Sequence, residues 1–230
     1  MHVRDLMQFL AELSENNNRA WFVMNKPRYD ILREEFLELV TELIVDISRL
    51  DPMIAGCNPK KALFRINRDM RFSHDKSPYK TTFSAAITAS GLKKPSQGGG
   101  PAYYFQINAA GNLLVAGGEY LPPADRLKLL RQQVVDDAAG FGKLLKNKNF
   151  IAEFGGLQEE DKLVRVPKGF SDDAPHQEYL KLKSFMAWKE RPLKNKVPSN
   201  LGGQLAADFK AVLPLMLWLR KVAPVSAAID

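Results

Sequence analysis

The sequence predicts an α+β fold in which a mostly antiparallel sheet packs against N-terminal, middle and C-terminal helices. Apolar residues recur at helical spacing over the first fifty positions, and the period changes to two near residue 62. Strand-like segments then follow one another through short links, which favours antiparallel pairing. Because no internal repeat and no break in composition marks a boundary, residues 1–230 are predicted to form a single domain.

Two helices are predicted in the first fifty residues. Apolar side chains recur every three or four positions between Leu6 and Leu13, and the run Asn16–Asn18 then ends the first helix. The second helix is expected to carry Pro27 in its first turn, where proline is tolerated, and to end before Asp51. Its apolar stripe consists of Ile31, Phe36, Leu39, Val40, Leu43, Ile44, Ile47 and Leu50.

Alternating patterns predict four strands in the next part of the chain. Residues 62–67 and 79–88 read as half-buried strands joined by the connection 73–78. After a glycine-rich loop, residues 103–108 and 113–120 read as two more strands with a short turn between them. Sequential strands with short links predict an antiparallel sheet.

The second half of the chain mixes helices and strands. Pro122 and Pro123 open a helix that runs through Val134, and a second short helix follows through Leu145. Two further strands and a closing helix are predicted at 163–166, 182–188 and about 201–222, the helix with a kink at Pro214.

Composition predicts a cytoplasmic protein. The single Cys57 excludes an internal disulfide and fits a reducing compartment. The first residues contain an early acid and no long apolar region, unlike a secretory signal. The longest apolar run, 211–219, contains Pro214 and is much shorter than a membrane span, so no membrane association is expected.

A strongly basic segment is the main functional signal. The whole chain has a net charge of +7. Between Lys60 and Lys94 there are nine lysines or arginines and two aspartates, so this segment alone carries a net charge of +7. Such a segment attracts phosphates, nucleic acid or other anions through its field.

Within it lies the group of residues that we call the basic cluster. Arginine forks bind phosphate or carboxylate through charge-assisted hydrogen bonds of roughly 1.5–3 kcal/mol each. The basic members are predicted to hold a phosphate-bearing or other anionic small molecule, Asp69 to orient an arginine, and Asp75 and Tyr79 to orient the ligand. The basic cluster consists of Arg65, Arg68, Asp69, Arg71, Asp75, Lys76, Tyr79 and Lys80.

Three other interpretations of the basic cluster stay open at this point. It is an enzyme site if Asp69 or Asp75 acts as a general base on a phosphorylated or carboxylated substrate. It is a nucleic-acid interface if the aromatic run 103–105 stacks bases beside an extended basic stripe. It is a structural brace, or a module for protein interactions, if the two aspartates simply neutralise neighbouring arginines in a tight turn.

The segments 16–22, 64–81 and 181–185 resemble the bacterial and fungal domain-of-unknown-function family 2461. The resemblance runs from about residue 5 to about 195, which leaves residues 196–230 as a helical extension. It implies a single α+β domain and brings no reaction and no cofactor with it. On the family pattern the basic cluster is the signature block, and His74 stands where a lysine or another polar residue is expected. Further matching positions are Gly117, Gly118, Arg131 and Lys183, of which Lys183 is added to the predicted ligand-binding residues.

Other site chemistries find little support in the sequence. His2, His74 and His176 stand at no metal-ligand spacing from one another or from Cys57, so no metal site is predicted. The chain has no nucleophile elbow, no phosphate loop with its Gly-Lys-Ser/Thr and no dinucleotide fingerprint. We therefore predict no cofactor, and the sequence leaves the oligomeric state undetermined.

Overall fold

A computed structural model describes residues 1–69, 71, 75–89, 100–193 and 197–222 of the chain. The fold is α+β, as predicted, with a four-stranded antiparallel sheet in the order β1-β2-β3-β4 that contacts the N-terminal and C-terminal helices. The helices are α1 (Val3–Glu15), α2 (Arg19–Ser48), α3 (Pro59–Ala62), α4 (Ala124–Asp136), α5 (Ala138–Leu145), α6 (Lys148–Phe154), α7 (Gln177–Leu180) and α8 (Leu201–Arg220), with a 3-10 turn at Pro52–Ile54. The strands are β1 (Thr82–Thr88), β2 (Ala102–Asn108), β3 (Asn112–Glu119) and β4 (Phe185–Pro192).

The described residues group into two compact units, each assembled from three stretches of sequence. The first unit takes its residues from 1–87, 104–115 and 190–207, and the second from 88–103, 116–189 and the chain after 207. That residues 1–230 form a single domain, with residues 196–230 as a helical extension of it, stays a prediction. None of the described helices is long and apolar enough to cross a bilayer.

The long helix α2 dominates the first unit. The side chain of Asn18 accepts a hydrogen bond from the Trp21 backbone N–H at 3.0 Å, so the helix begins at Arg19. The expectation that Pro27 lies in the first turn was therefore wrong, because the asparagine cap starts the helix two turns earlier. Phe36 on the buried face of α2 packs against Phe83 of β1 at 5.5 Å between ring centroids.

The predicted strand at 62–67 forms only in part. Asn58 and Pro59 start the short helix α3, which takes Ala62 out of the strand. Leu63 and Asn67 then make isolated antiparallel bridges to Ala85 and Tyr79. The partner strand is accordingly regular only from Thr82 onward.

Phe141 of α5 is fully buried in the second unit. Its ring contacts those of Tyr179 and Trp218 at 5.1 and 4.8 Å between centroids. The prediction of a strand at 163–166 was wrong: the stretch has no strand pairing, and Val164 is 92% exposed. The Leu163 N–H donates instead to the carbonyl of Lys181, which lies outside the sheet, at 2.9 Å. A short alternating run is therefore a weak predictor of a strand, because strand formation depends on its surroundings.

The glycine pair in β3 is required by close packing. Gly118 has φ +131°, and a Cβ there would lie 2.2 Å from the Phe185 carbonyl oxygen on β4. A Cβ on Gly117 would lie 2.6 Å from a methyl group of Val212 on α8. A side chain at either position would therefore meet a neighbouring element, which explains why both residues are glycine.

Candidate functional site

The basic cluster lies on an irregular antiparallel hairpin, residues 63–85, of which the structure describes 63–69, 71 and 75–85. Backbone hydrogen bonds hold its two sides together. The Arg68 N–H donates to the Pro78 carbonyl at 2.9 Å, and the Lys80 N–H donates to the Ile66 carbonyl at 2.7 Å. These bonds flank the bridge between Asn67 and Tyr79 and fix the backbone from which the charged side chains project.

The hairpin changes register between its two bridges. Leu63 and Asn67 are four residues apart, whereas their partners Ala85 and Tyr79 are six apart, so the second side contains two extra residues. Thr81 lies on this longer side, and its carbonyl accepts a hydrogen bond from the Ala109 N–H at 3.0 Å.

A small pocket of about 10 Å³ lies at this irregularity. It is lined by Tyr29, Arg33 and Phe36 of α2 and by hairpin residues on both sides of the bulge. A space of this size holds about one water molecule. The basic cluster contributes no residue to its lining, so this pocket is not the concavity in which a phosphate would be held by the predicted residues.

The loop between α1 and α2 anchors the hairpin. The Asn17 side-chain amide donates to the Tyr79 carbonyl at 2.9 Å and accepts from the Tyr79 N–H at 3.1 Å. The Tyr79 ring is buried and stacks on Phe22 of α2, with 4.0 Å between centroids and 18° between planes. Tyr79 is thus a fixed point between helix and hairpin, which is a different role from the predicted orientation of a ligand.

Asp69 and Arg71 form a fork-shaped ion pair on the exposed side of the hairpin. Arg71 Nε donates to Asp69 Oδ1 at 3.0 Å, and Arg71 Nη2 donates to Asp69 Oδ2 at 2.8 Å. Hydrogen bonds from Arg71 hold the pKa of Asp69 well below its usual value, and the charge of the exposed Arg65 lowers this pKa further. Three predicted site residues therefore lie together here.

A second ion pair joins Arg68 to Asp75. Asp75 Oδ1 also accepts from the hydroxyl and the N–H of Ser77, at 2.6 and 2.9 Å. These Ser77 hydrogen bonds are the main cause of the lowered pKa of Asp75, and the charge of Arg68 adds to it. The Nε of Arg68 is buried and has no hydrogen-bond partner within the described part of the chain.

The three predicted lysines lie in different surroundings. Lys76 is exposed. Lys80 is half-buried, with its ammonium 5.4 Å from the centroid of the Phe64 ring. Lys183 is half-buried and belongs to the second unit, whereas the basic cluster belongs to the first.

Sequence reasoning missed the anchoring role of Asn17 and the burial of Arg126 and Arg131 on α4. The signal for Asn17 was its place in the segment 16–22, which matched the family pattern together with the hairpin. Within the described residues, no three histidine, cysteine or acidic side chains converge as metal ligands.

Comparison with known families gives a match over most of the chain. The family model described as "conserved hypothetical protein (DUF2461)" covers residues 5–218, and the chain belongs to this family. The match continues past residue 195 and includes most of α8. Neither a curated protein nor a solved structure matches the chain.

Proposed function

We propose that this DUF2461 protein binds a phosphate-bearing or other anionic ligand at the basic cluster. The observation that carries the proposal is the surplus of positive charge on the hairpin. Residues 65–80 contain five arginines or lysines and two aspartates, and each aspartate is bound to an arginine. The net charge of residues 65–80 is therefore +3, and a net positive charge attracts an anion.

The two ion pairs support this proposal because they position arginines in advance. Asp75 accepts from one nitrogen of the Arg68 guanidinium, and Asp69 accepts from two nitrogens of the Arg71 guanidinium. An arginine already fixed by a carboxylate loses less side-chain entropy when it meets a second anion. The hydrogen bonds of Asn17 fix the hairpin backbone itself, so less backbone entropy is lost when a ligand binds.

The aspartates favour binding over catalysis. A general base works best with a pKa near the working pH. The pKa values of Asp69 and Asp75 are shifted downward, away from that range, by their hydrogen-bond donors Arg71 and Ser77. Both carboxylates are therefore better suited to orienting cations than to accepting a proton from a substrate.

The aromatic residues favour a small anion over single-stranded nucleic acid. Tyr103 and Phe105 are 1% and 0% exposed, and Tyr104 is half-buried with its ring edge-on to Phe64. Base stacking requires an exposed ring face, which neither Tyr103 nor Phe105 offers.

The test is calorimetric titration of the full chain with inorganic phosphate and pyrophosphate, using Arg65→Ala, Arg68→Ala and the matched control Arg49→Ala. Arg49 is exposed near the end of α2 and pairs with Asp46, so its loss changes the net charge equally but leaves the hairpin intact. We expect both hairpin variants to weaken binding by about tenfold or more, and Arg49→Ala to leave it unchanged.

Equal affinities in all four proteins, or no heat of binding in the parent, would overturn the proposal. A parallel titration with a single-stranded oligonucleotide at several salt concentrations tests the alternative ligand. Tight oligonucleotide binding with a steep salt dependence, and none of pyrophosphate, would replace the small anion with nucleic acid.

A further inference from the structure

Helix α4 carries two buried arginines with contrasting partners. Arg126 is 4% exposed, and its guanidinium donates to the carboxylate of Glu119 on β3 from Nε at 3.0 Å and from Nη2 at 2.5 Å. The same guanidinium donates to the carbonyls of Leu219 and Val222, at 3.2 and 2.8 Å. Arg126 therefore has a carboxylate partner and also satisfies carbonyls at the end of α8.

Arg131 lies five residues further along α4 and is 9% exposed, but it has no carboxylate partner in the described part of the chain. It donates one hydrogen bond, from Nη2 to the Leu182 carbonyl at 2.9 Å. Its Nε is buried and has no acceptor among the described residues. Burial lowers the pKa of Arg131.

A buried charge without a counter-charge is among the costliest arrangements in a protein interior. Buried charged groups are ordinarily paired, because removal from water costs several kcal/mol per ion even after relaxation. An arginine stays protonated under physiological conditions, so it cannot escape this cost by losing its proton. Arg131 is thus placed where an anion from outside the chain would relieve an existing penalty.

The residue that accepts the hydrogen bond from Arg131 is followed directly in sequence by a second cation. Leu182 supplies the carbonyl acceptor, and the next residue, Lys183, is half-buried. Ser184 holds the segment in place, because its hydroxyl accepts a hydrogen bond from the Leu121 N–H at 2.9 Å. Leu121 has φ +43°, a conformation that a leucine adopts only when its surroundings impose it.

We infer that Arg131 anchors a second anion site, which takes a ligand bearing a carboxylate, with Lys183 as the supporting cation. The pair of Arg126 and Glu119 is an example of such binding on the same helix, because the guanidinium donates through two nitrogens to the two oxygens of a planar carboxylate. The ligand's carboxylate would occupy the place at Arg131 that Glu119 occupies at Arg126. The site lies in the second unit and shares no residue with the basic cluster, so it stands independently of the function proposed above.

The experiment compares thermal unfolding of the full chain in sodium acetate, sodium phosphate and sodium chloride at equal ionic strength. The parent is compared with Arg131→Met and with Lys128→Met, which removes an exposed charge from the same helix. We expect acetate to raise the Tm of the parent and of Lys128→Met in a saturable manner, and to leave Arg131→Met at its chloride value. A rise in Tm that occurs with phosphate but not with acetate, and that is lost in Arg131→Met, would overturn the carboxylate assignment.

A direct measurement keeps the inference testable if Arg131→Met fails to fold. The Nε–H resonance of Arg131, assigned through its loss in Arg131→Lys, is followed by NMR during an acetate titration. We expect this resonance to shift with saturation, and Arg131→Lys to bind acetate about tenfold more weakly. An unchanged resonance, or an equal acetate response in the parent and Arg131→Lys, would overturn the inference.

A further variant distinguishes acetate binding at Arg131 from acetate binding at the basic cluster. Arg65→Ala with Arg68→Ala removes basic-cluster charge only, so we expect its saturable response to acetate to be preserved. Loss of that response in the double variant, with Arg131 intact, would assign the binding to the basic cluster and contradict a site at Arg131.

Discussion

The side-chain amide of Asn17 makes both of its hydrogen bonds to the backbone of Tyr79, accepting from the N–H at 3.1 Å and donating to the carbonyl at 2.9 Å. In this way the amide acts as a short strand edge, which pairs with the hairpin at the point where regular pairing is interrupted. The loop between the first two helices is thereby attached to the hairpin that carries the basic cluster.

Asn17→Ala should destabilise the protein by about 1–3 kcal/mol, because a backbone donor and acceptor of Tyr79 lose their partners. Urea unfolding monitored by circular dichroism measures the change. Asn16→Ala is the matched control, since the exposed side chain of Asn16 donates to the Glu12 carbonyl at the end of α1 and not to the hairpin. It should change the free energy of unfolding by no more than about 0.5 kcal/mol. Equal decreases in the free energy of unfolding in both variants would contradict a specific stabilising role of the hydrogen bonds to Tyr79.

Glu119→Gln should cost about 3–5 kcal/mol of unfolding free energy, because it removes the carboxylate partner of the buried Arg126 guanidinium. Asp30→Asn is the control, since Asp30 and its partner Lys26 are about half exposed. Exposed pairs contribute about 0–1 kcal/mol. Chemical denaturation of the two variants measures the contrast, and a Glu119→Gln effect as small as that of Asp30→Asn would contradict it.

Gly117→Ala should destabilise the protein by about 1–3 kcal/mol, because the new methyl group would meet the β-branched side chain of Val212 at 2.6 Å. Adding Val212→Ala should recover part of this loss in a double-mutant cycle. Gly56→Ala is the control, with open space around the new atom. A cycle without coupling between positions 117 and 212 would locate the effect of Gly117→Ala elsewhere.

The contribution of Asp137 to stability should disappear at acid pH. Its pKa is lowered, chiefly by the hydrogen bond from the Lys221 ammonium at 2.7 Å. Since its folded pKa lies below the unfolded value of about 3.9, the stabilisation is fully present above that value and is lost as pH falls through the folded pKa.

Unfolding free energies of the parent and Asp137→Asn, measured from pH 7 down to acid, check this expectation. The difference between the two should be constant at neutral pH and should shrink below about pH 4. Asp136→Asn, at the exposed neighbouring position, serves as the control. A difference between the parent and Asp137→Asn that stays constant to the lowest pH would exclude the ion pair as its source.

The errors of the sequence analysis have local physical causes. Pro27 suggested a helix start because proline fits a first turn, but Asn18 offers a side-chain acceptor to the N–H of Trp21 and starts the helix earlier. The stretch 163–166 has a strand-like pattern, but the Leu163 N–H donates to the carbonyl of Lys181, outside the sheet, and a local pattern does not reveal this partner. The register of the hairpin could not be predicted either, because apolar and polar residues still alternate across the two extra residues between Tyr79 and Ala85.

The sequence by itself determined the α+β class, the regular strands β2 and β3, most of the helices, and the concentration of charge on one hairpin. These features depend on periodicity and composition, which are properties of neighbouring residues. Tertiary structure decided which charges are paired, which are buried and what holds the hairpin. Asn17 and Tyr79 are 62 residues apart, and the contrast between Arg126 and Arg131 depends on which distant atoms meet each guanidinium. Pairing and desolvation depend on contacts between distant segments, so only the folded chain determines them.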